Sequence, residues 1–199
     1  MTQAIIITAV SARFEKDGEL IGKQDPYLQA SLDLNVKESY KKTYVAKNSG
    51  TEPEWNQTLE FNYNGENEIY VEILDKEKGV DGIIGYTTIP LKNIINSENA
   101  VVNAQFPLYD YKGENTGVVV LVVKARGFEN SSDVVPEYTT SGDAYLNEDQ
   151  QTRAKKIHNK ELAGDVATGL AGAALAGAAA FFGNKLYQES KAQEGEEEQ

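Results

Sequence analysis

Cysteine is absent from the 199 residues. That excludes disulfide cross-links and thiolate zinc sites, and it fits a reducing compartment. Histidine occurs once, as His158 in a charged stretch where a solvated role is expected. One imidazole without a cysteine leaves no paired nucleophile and base, and no phosphate-binding loop, dinucleotide fingerprint or zincin motif accompanies it. The chain therefore reads as a non-enzyme. Positive charge is scarce as well: 19 Lys and Arg stand against 31 Asp and Glu, a formal net charge of −12. Attraction to phosphate backbones needs clustered basic residues, so nucleic acid is excluded as a partner. The first nineteen residues carry no basic leader before their short apolar run. They read as a first strand and not as a secretory signal, with a cytoplasmic location expected.

What is present in the first half is alternation with period two, the signature of half-buried strands. Leu28, Ala30, Leu32 and Leu34 share one face of their segment, with Gln29, Ser31 and Asp33 on the other. Leu59, Phe61 and Tyr63 alternate with Thr58, Glu60 and Asn62, and Ile69, Val71 and Ile73 with Glu68, Tyr70 and Glu72. Further strands are expected at 4–10, 42–47, 83–91, 104–109 and 117–125, separated by turn signals such as Asp25-Pro26, Asn48-Ser49-Gly50, Asn64-Gly65 and Lys112-Gly113. Some eight short strands with frequent turns predict an all-β sandwich. The unbroken apolar run from Val118 to Val123 predicts burial on both faces or cover by other chain.

Composition changes after Arg126. Residues 128–144 are polar, with Gly, Pro and Ser, and read as a linker. Residues 145–187 are rich in helix formers, and Val166 to Gly183 within them carries no charge. Residues 188–199 form an acidic tail expected to be disordered.

Three segments, in order, resemble the C2 domain family. They are GKQDPYLQASL at 22–32, NSGTEPEWNQTLEF at 48–61 and EILDKEKGVDGIIGYTTIPL at 72–91. Together they mark residues 1–127 as the domain, and the strand order is similar to the circularly permuted type II form found in small single-C2 proteins of plants and fungi. The resemblance implies an all-β fold: an eight-stranded antiparallel C2 β-sandwich, followed by the linker and a C-terminal α-helical Ala/Gly-rich extension. It implies non-catalytic peripheral membrane binding to anionic lipids, possible with calcium, Ca2+, as a weak assistant.

Calcium-using members place about five carboxylates on two loops, because this hard cation takes six to eight oxygens. The positions implied here are Asp17 or Glu19, Asp25, Asp75, Glu77 and Asp81. Asp25 and Asp75 stand on family ligand positions, whereas Glu19 and Glu77 replace aspartates and Gly82 stands where a last Asp is usual. A weak loop-borne metal site and a set of solvated loop acids are both consistent with this pattern. Lys37, Lys41, Lys42 and Lys47 correspond to the lysine-rich strand with which many C2 domains meet anionic head groups. The other reading is an edge strand protected by lysine against aggregation. Leu20, Ile21 and Val80 are candidate loop tips for membrane contact.

Gly164, Gly169, Gly172, Gly177 and Gly183 recur through the Ala/Gly-rich segment, as small residues do where helices approach closely. Its 18 uncharged residues are near the length of a membrane span. Lys155, Lys156 and Lys160 before it and Lys185 after it fit interfacial anchoring. Membrane insertion, self-association through a glycine zipper, packing on the sandwich and docking on a protein partner all remain open. An interaction or assembly protein with the C2 fold as platform is thus the alternative function.

Overall fold

The alternating residues pair as two antiparallel sheets in a computed structural model, which describes residues 2–15 and 23–168. In one sheet β1 (Ala4–Phe14) lies between β4 (Glu54–Asn62) and β8 (Asn115–Arg126), and β7 (Val101–Tyr109) flanks β8. In the other the order is β3 (Lys41–Lys42), β2 (Pro26–Ser31), β5 (Glu68–Asp75) and β6 (Gly82–Pro90). One residue pair, Tyr86 with Tyr109, joins them. Ile5, Ile7, Leu59 and Phe61 from the first sheet share a core with Leu28, Val71, Ile73 and Ile89 from the second. Eight antiparallel strands and a C-terminal helix are the fold that the patterning and the resemblance led us to expect.

Two segments depart from expectation in detail. The strand expected over 42–47 pairs as strand only at Lys41–Lys42. The Thr43 hydroxyl takes the Leu28 N–H at 3.0 Å, so a side chain fills a place that a backbone ladder would have used. In β8, Val119, Leu121 and Val123 are fully buried but Val118, Val120 and Val122 are only half-buried, so burial is complete on one face alone.

Because β6 and β7 meet at a single pair, each leaves backbone groups unpaired, and open edges are a liability. Residues 128–144, read from the sequence as a linker, pack over this gap. Thr139 donates its N–H to Asn103 O at 3.0 Å and accepts from Gln105 N–H at 3.0 Å, while Tyr145 donates to Thr88 O at 3.0 Å. Gly142 lies so close to the Phe106 ring that any side chain there would overlap it.

Asn147 then caps the second helix, its Oδ1 accepting the N–H groups of Asp149 and Gln150 at 3.0 Å each. A short α1 (Leu91–Ile95) precedes β7, and α2 (Glu148–Thr168) follows this cap. Glu148 and Asp149 in its first turn complement the helix dipole. α2 lies on the outer face of β5 and β6, away from the core. Gln150 is fully buried, donating to Val71 O at 3.0 Å and accepting from the Thr88 hydroxyl at 2.6 Å. Arg153 donates to the Glu72 carboxylate at 2.7 Å and stacks its guanidinium on Tyr40, 4.5 Å from the ring centroid. His158, expected to be solvated, is half-buried. It stacks on Tyr111 with ring centroids 3.8 Å apart, because this flank of α2 abuts the β7–β8 turn. The Ala/Gly-rich segment beyond Thr168 and the acidic tail lie outside the described residues.

Candidate functional site at the loop end

The local sequence places β2 and β5 so that their loop-end termini are neighbours. Pro26 cannot donate an N–H and fixes its own φ, so Asp25-Pro26 closes a loop and opens a strand. Pro26 then pairs opposite Asp75, the last residue of β5. Trp55, buried beneath, anchors the junction by donating its indole N–H to Pro26 O at 3.2 Å. Asn56 beside it takes a positive φ of 47°, tolerable for asparagine, in the irregularity where β4 meets the Ala9–Ser11 register shift of β1.

This geometry brings Asp25 and Asp75 together. The Asp25 N–H donates to Asp75 Oδ1 at 2.7 Å, and the Asn48 N–H donates to Asp25 Oδ1 at 2.6 Å. Asp81 occupies the same end but is already neutralised. Lys76 Nζ lies 2.9 Å from its Oδ1 and 3.2 Å from its Oδ2. The Tyr27 hydroxyl donates to Oδ2 at 2.9 Å and the Glu77 N–H to Oδ1 at 3.2 Å. Burial pushes the Asp81 carboxyl up, but hydrogen bonds from Lys76, Tyr27 and the Glu77 amide, with the lysine charge, outweigh it and hold it below the ordinary range. Burial also raises the Tyr27 phenol, and Asp81 adds to that.

These residues do not fit a calcium cage by themselves. The cation wants six to eight oxygens, whereas Asp25 and Asp75 each commit one oxygen to a backbone amide and Asp81 carries an ammonium. Among the described residues no three His, Cys, Asp or Glu side chains are grouped so as to hold a metal. Glu77 contributes its amide to Asp81. Asp17 and Glu19 fall outside the described residues, as do Leu20 and Ile21. The resemblance gave no sign of Lys76, since a lysine within an acidic loop looks like a solubilising residue until its partner is seen.

The four lysines do not converge. Lys37 sits in a 3-10 turn (Lys37–Ser39) past the far end of β2, and Lys47 is back at the loop end beside Asn48. The six residues of β2 separate these levels by about 20 Å at about 3.3 Å per residue. Lys41 and Lys42, adjacent in β3, point to opposite faces. Lys41 donates to Glu60 O and lies over the Phe61 ring, bridging the open side of the sandwich. Lys42 lies on the outer face over the Tyr27 ring, 5.0 Å from its centroid. All four are exposed. Of the small residues, Gly164 packs on Val80 of the third loop, and a Cβ there would stand 3.2 Å from Val80 Cγ2. Gly169, Gly172 and Gly177 lie outside the described residues. Among those described, no helix is long and apolar enough to cross a membrane.

Comparison with known proteins agrees with this geometry. The C2 domain profile matches residues 3–108. The 16 kDa phloem protein 2 of Arabidopsis thaliana is 34% identical over 140 residues, covering 68% of this chain and 90% of that protein. A calcium-dependent lipid-binding protein of the same plant is 34% identical over 92 residues, 45% of this chain but only 17% of that one. Among solved structures, a C2 domain-containing protein from a putative elicitor-responsive gene superposes with a TM-score of 0.51 at 26% identity, over 67% of this chain and 93% of that one. With its eight-stranded sandwich and these matches, the chain belongs to the C2 domain family.

Proposed function

We propose that this chain is a non-catalytic peripheral membrane protein whose C2 domain docks on anionic phospholipid. The observation that carries this reading is the exposure of Lys42 on the outer face and of Lys47 at the loop end of an otherwise acidic protein. Each basic residue held near an anionic surface contributes about 1 kcal/mol. Kinship to a calcium-dependent lipid-binding protein supports it. In this reading lysine supplies the attraction, and calcium is at most a weak assistant at Asp25 and Asp75. The test is co-sedimentation with phosphatidylcholine vesicles containing phosphatidylserine, with and without calcium. Binding should occur in chelator, weaken on Lys42→Glu and Lys47→Glu, and fade by ~0.5 M salt, where the screening length is a few ångströms. Equal sedimentation with phosphatidylcholine alone would refute the reading.

A second reading, an assembly protein, draws on Val134, Val135 and Tyr138, which are 61%, 52% and 48% exposed on the segment that crosses the sheet gap. There the glycine-rich segment drives self-association or protein binding. Replacing Gly172 and Gly177 with leucine should then reduce cross-linked oligomers of the full chain.

A further inference from the structure

α2 lies beyond the residues matched to the C2 domain, yet it brings charge to the same outer face as Lys42. Its orientation follows from its contacts. Gln150 meets Thr88 near the end of β6, and Glu161 packs so closely on Gly82, where β6 begins, that a Cβ there would overlap it. The helix thus runs toward the loop end, parallel to β5. At about 100° per residue, Gln150, Ala154, Ile157, Glu161 and Gly164 form the face turned to the sheet. His158 and Gln151 fall on one flank, where the stack on Tyr111 places the β7–β8 turn. Arg153, Lys156 and Lys160 fall on the other, and the Arg153 contacts with Glu72 and Tyr40 turn that flank toward β2 and β3.

Height along the sheet can be placed in the same way. Lys42 is paired with Gln29, and Gln29 with Glu72, so Lys42 shares a row with the carboxylate that Arg153 grips. Lys156 and Lys160 stand about 4.5 and 10.5 Å beyond Arg153, at about 1.5 Å per residue. The next outward-facing row, Tyr27 and Leu74, is about 6.6 Å beyond. Lys42 leans over this same Tyr27. The two helix lysines and Lys42 therefore flank one level of the sheet from opposite sides.

Nearby acids are already engaged. Glu72 is bound by Arg153 and Gln29, Asp81 by Lys76, and Glu161 faces His158 at 3.4 Å. Lys156 and Lys160 are exposed and in no salt bridge among the described residues, and no acidic residue stands three or four positions from either. Instead they are four apart from each other, a like-charge spacing that disfavours a helix.

We propose that Lys156 and Lys160 of α2 and Lys42 of β3 are the two walls of one cationic seam that receives the phosphate of an anionic membrane lipid. The helix is then part of the headgroup site. This rests on the lipid-binding reading above and adds the helix to it.

The test uses the full chain, in chelator, with phosphatidylcholine vesicles containing phosphatidylserine. Lys156→Gln with Lys160→Gln removes two seam charges. Lys92→Gln with Lys112→Gln removes two exposed charges from elsewhere. The seam variant should lose about tenfold or more in vesicle partitioning and the control less than about threefold, with unchanged urea midpoints in both. Equal losses would reduce the effect to net charge and overturn the seam. So would undiminished binding of the seam variant while Lys42→Glu still weakens it, which would leave the lipid-binding reading standing. Failure of the unaltered chain to bind these vesicles would remove both.

Discussion

Glu72 is a carboxylate with no exposed surface, held by Gln29 Nε2 at 2.6 Å and by Arg153 at 2.7 and 3.4 Å. Arg153→Met keeps an apolar stem of similar reach and deletes the charge. The carboxylate is then left buried without its charged partner. Removing one partner of a buried pair costs about 3–5 kcal/mol. The arginine side chain is 29% exposed, so water softens the penalty and about 3 kcal/mol is expected. Urea unfolding followed through Trp55, the sole tryptophan and buried at the loop end, should show the midpoint falling by about 1 M or more. Glu72→Gln in the same chain should recover most of the loss at neutral pH. A midpoint shift below about 0.3 M, or the same loss with glutamine at 72, would refute the claim that the charge pair holds the helix down.

Ending the chain at Gly127 removes both Arg153 and the cover over the β6–β7 gap. The sandwich should still unfold in one transition by Trp55 fluorescence, with a midpoint below that of Arg153→Met; a molten product would show that the tail belongs to the core. Calcium binding by calorimetry should be no tighter than about 10⁻⁵ M and should vanish on Asp25→Asn or Asp75→Asn, and sub-micromolar affinity would contradict the site as described. The lowered Asp81 carboxyl contributes stability that is present above its ordinary value of about 3.9 and lost as pH falls through its folded value. Thermal midpoints of the native chain and Asp81→Asn should therefore converge in that acid range, and parallel curves would remove Asp81 from the loop's stability.

Much of the sandwich was legible because one side of each strand is dry. Leu59 and Phe61 are buried while Thr58, Glu60 and Asn62 are exposed, as alternation requires. The same logic misled at Gln29 and Glu72, whose side of the sheet reads as solvent-facing and is buried, Glu72 under Arg153 of α2. Nothing local in β5 announces a partner 81 residues away. At the loop end the motif put Asp25 and Asp75 side by side, but Lys76 on Asp81 is a property of the loop's path, which spacing does not encode. The lysines clustered within eleven residues separate in space because two of them flank a strand and two neighbours within it face opposite ways.

What holds α2 to the sheet is polar matching more than apolar area. On its inner face Ala154 and Ile157 are the apolar residues, whereas Gln150 and Arg153 each satisfy sheet groups that the helix itself shuts off from water. Burying a polar group without a partner costs free energy, so helix and sheet must fit in register or not dock at all. The register is set at one end by the Tyr145–Thr88 bridge and the Asn147 cap, and at the other by Glu161 against Gly82 and Gly164 against Val80. An element pinned at both ends has a fixed exit. α2 therefore ends on the side of the sandwich that carries Asp25, Asp75, Lys76 and Lys47. An anionic surface drawn to Lys47 would meet the end of α2 at the same place.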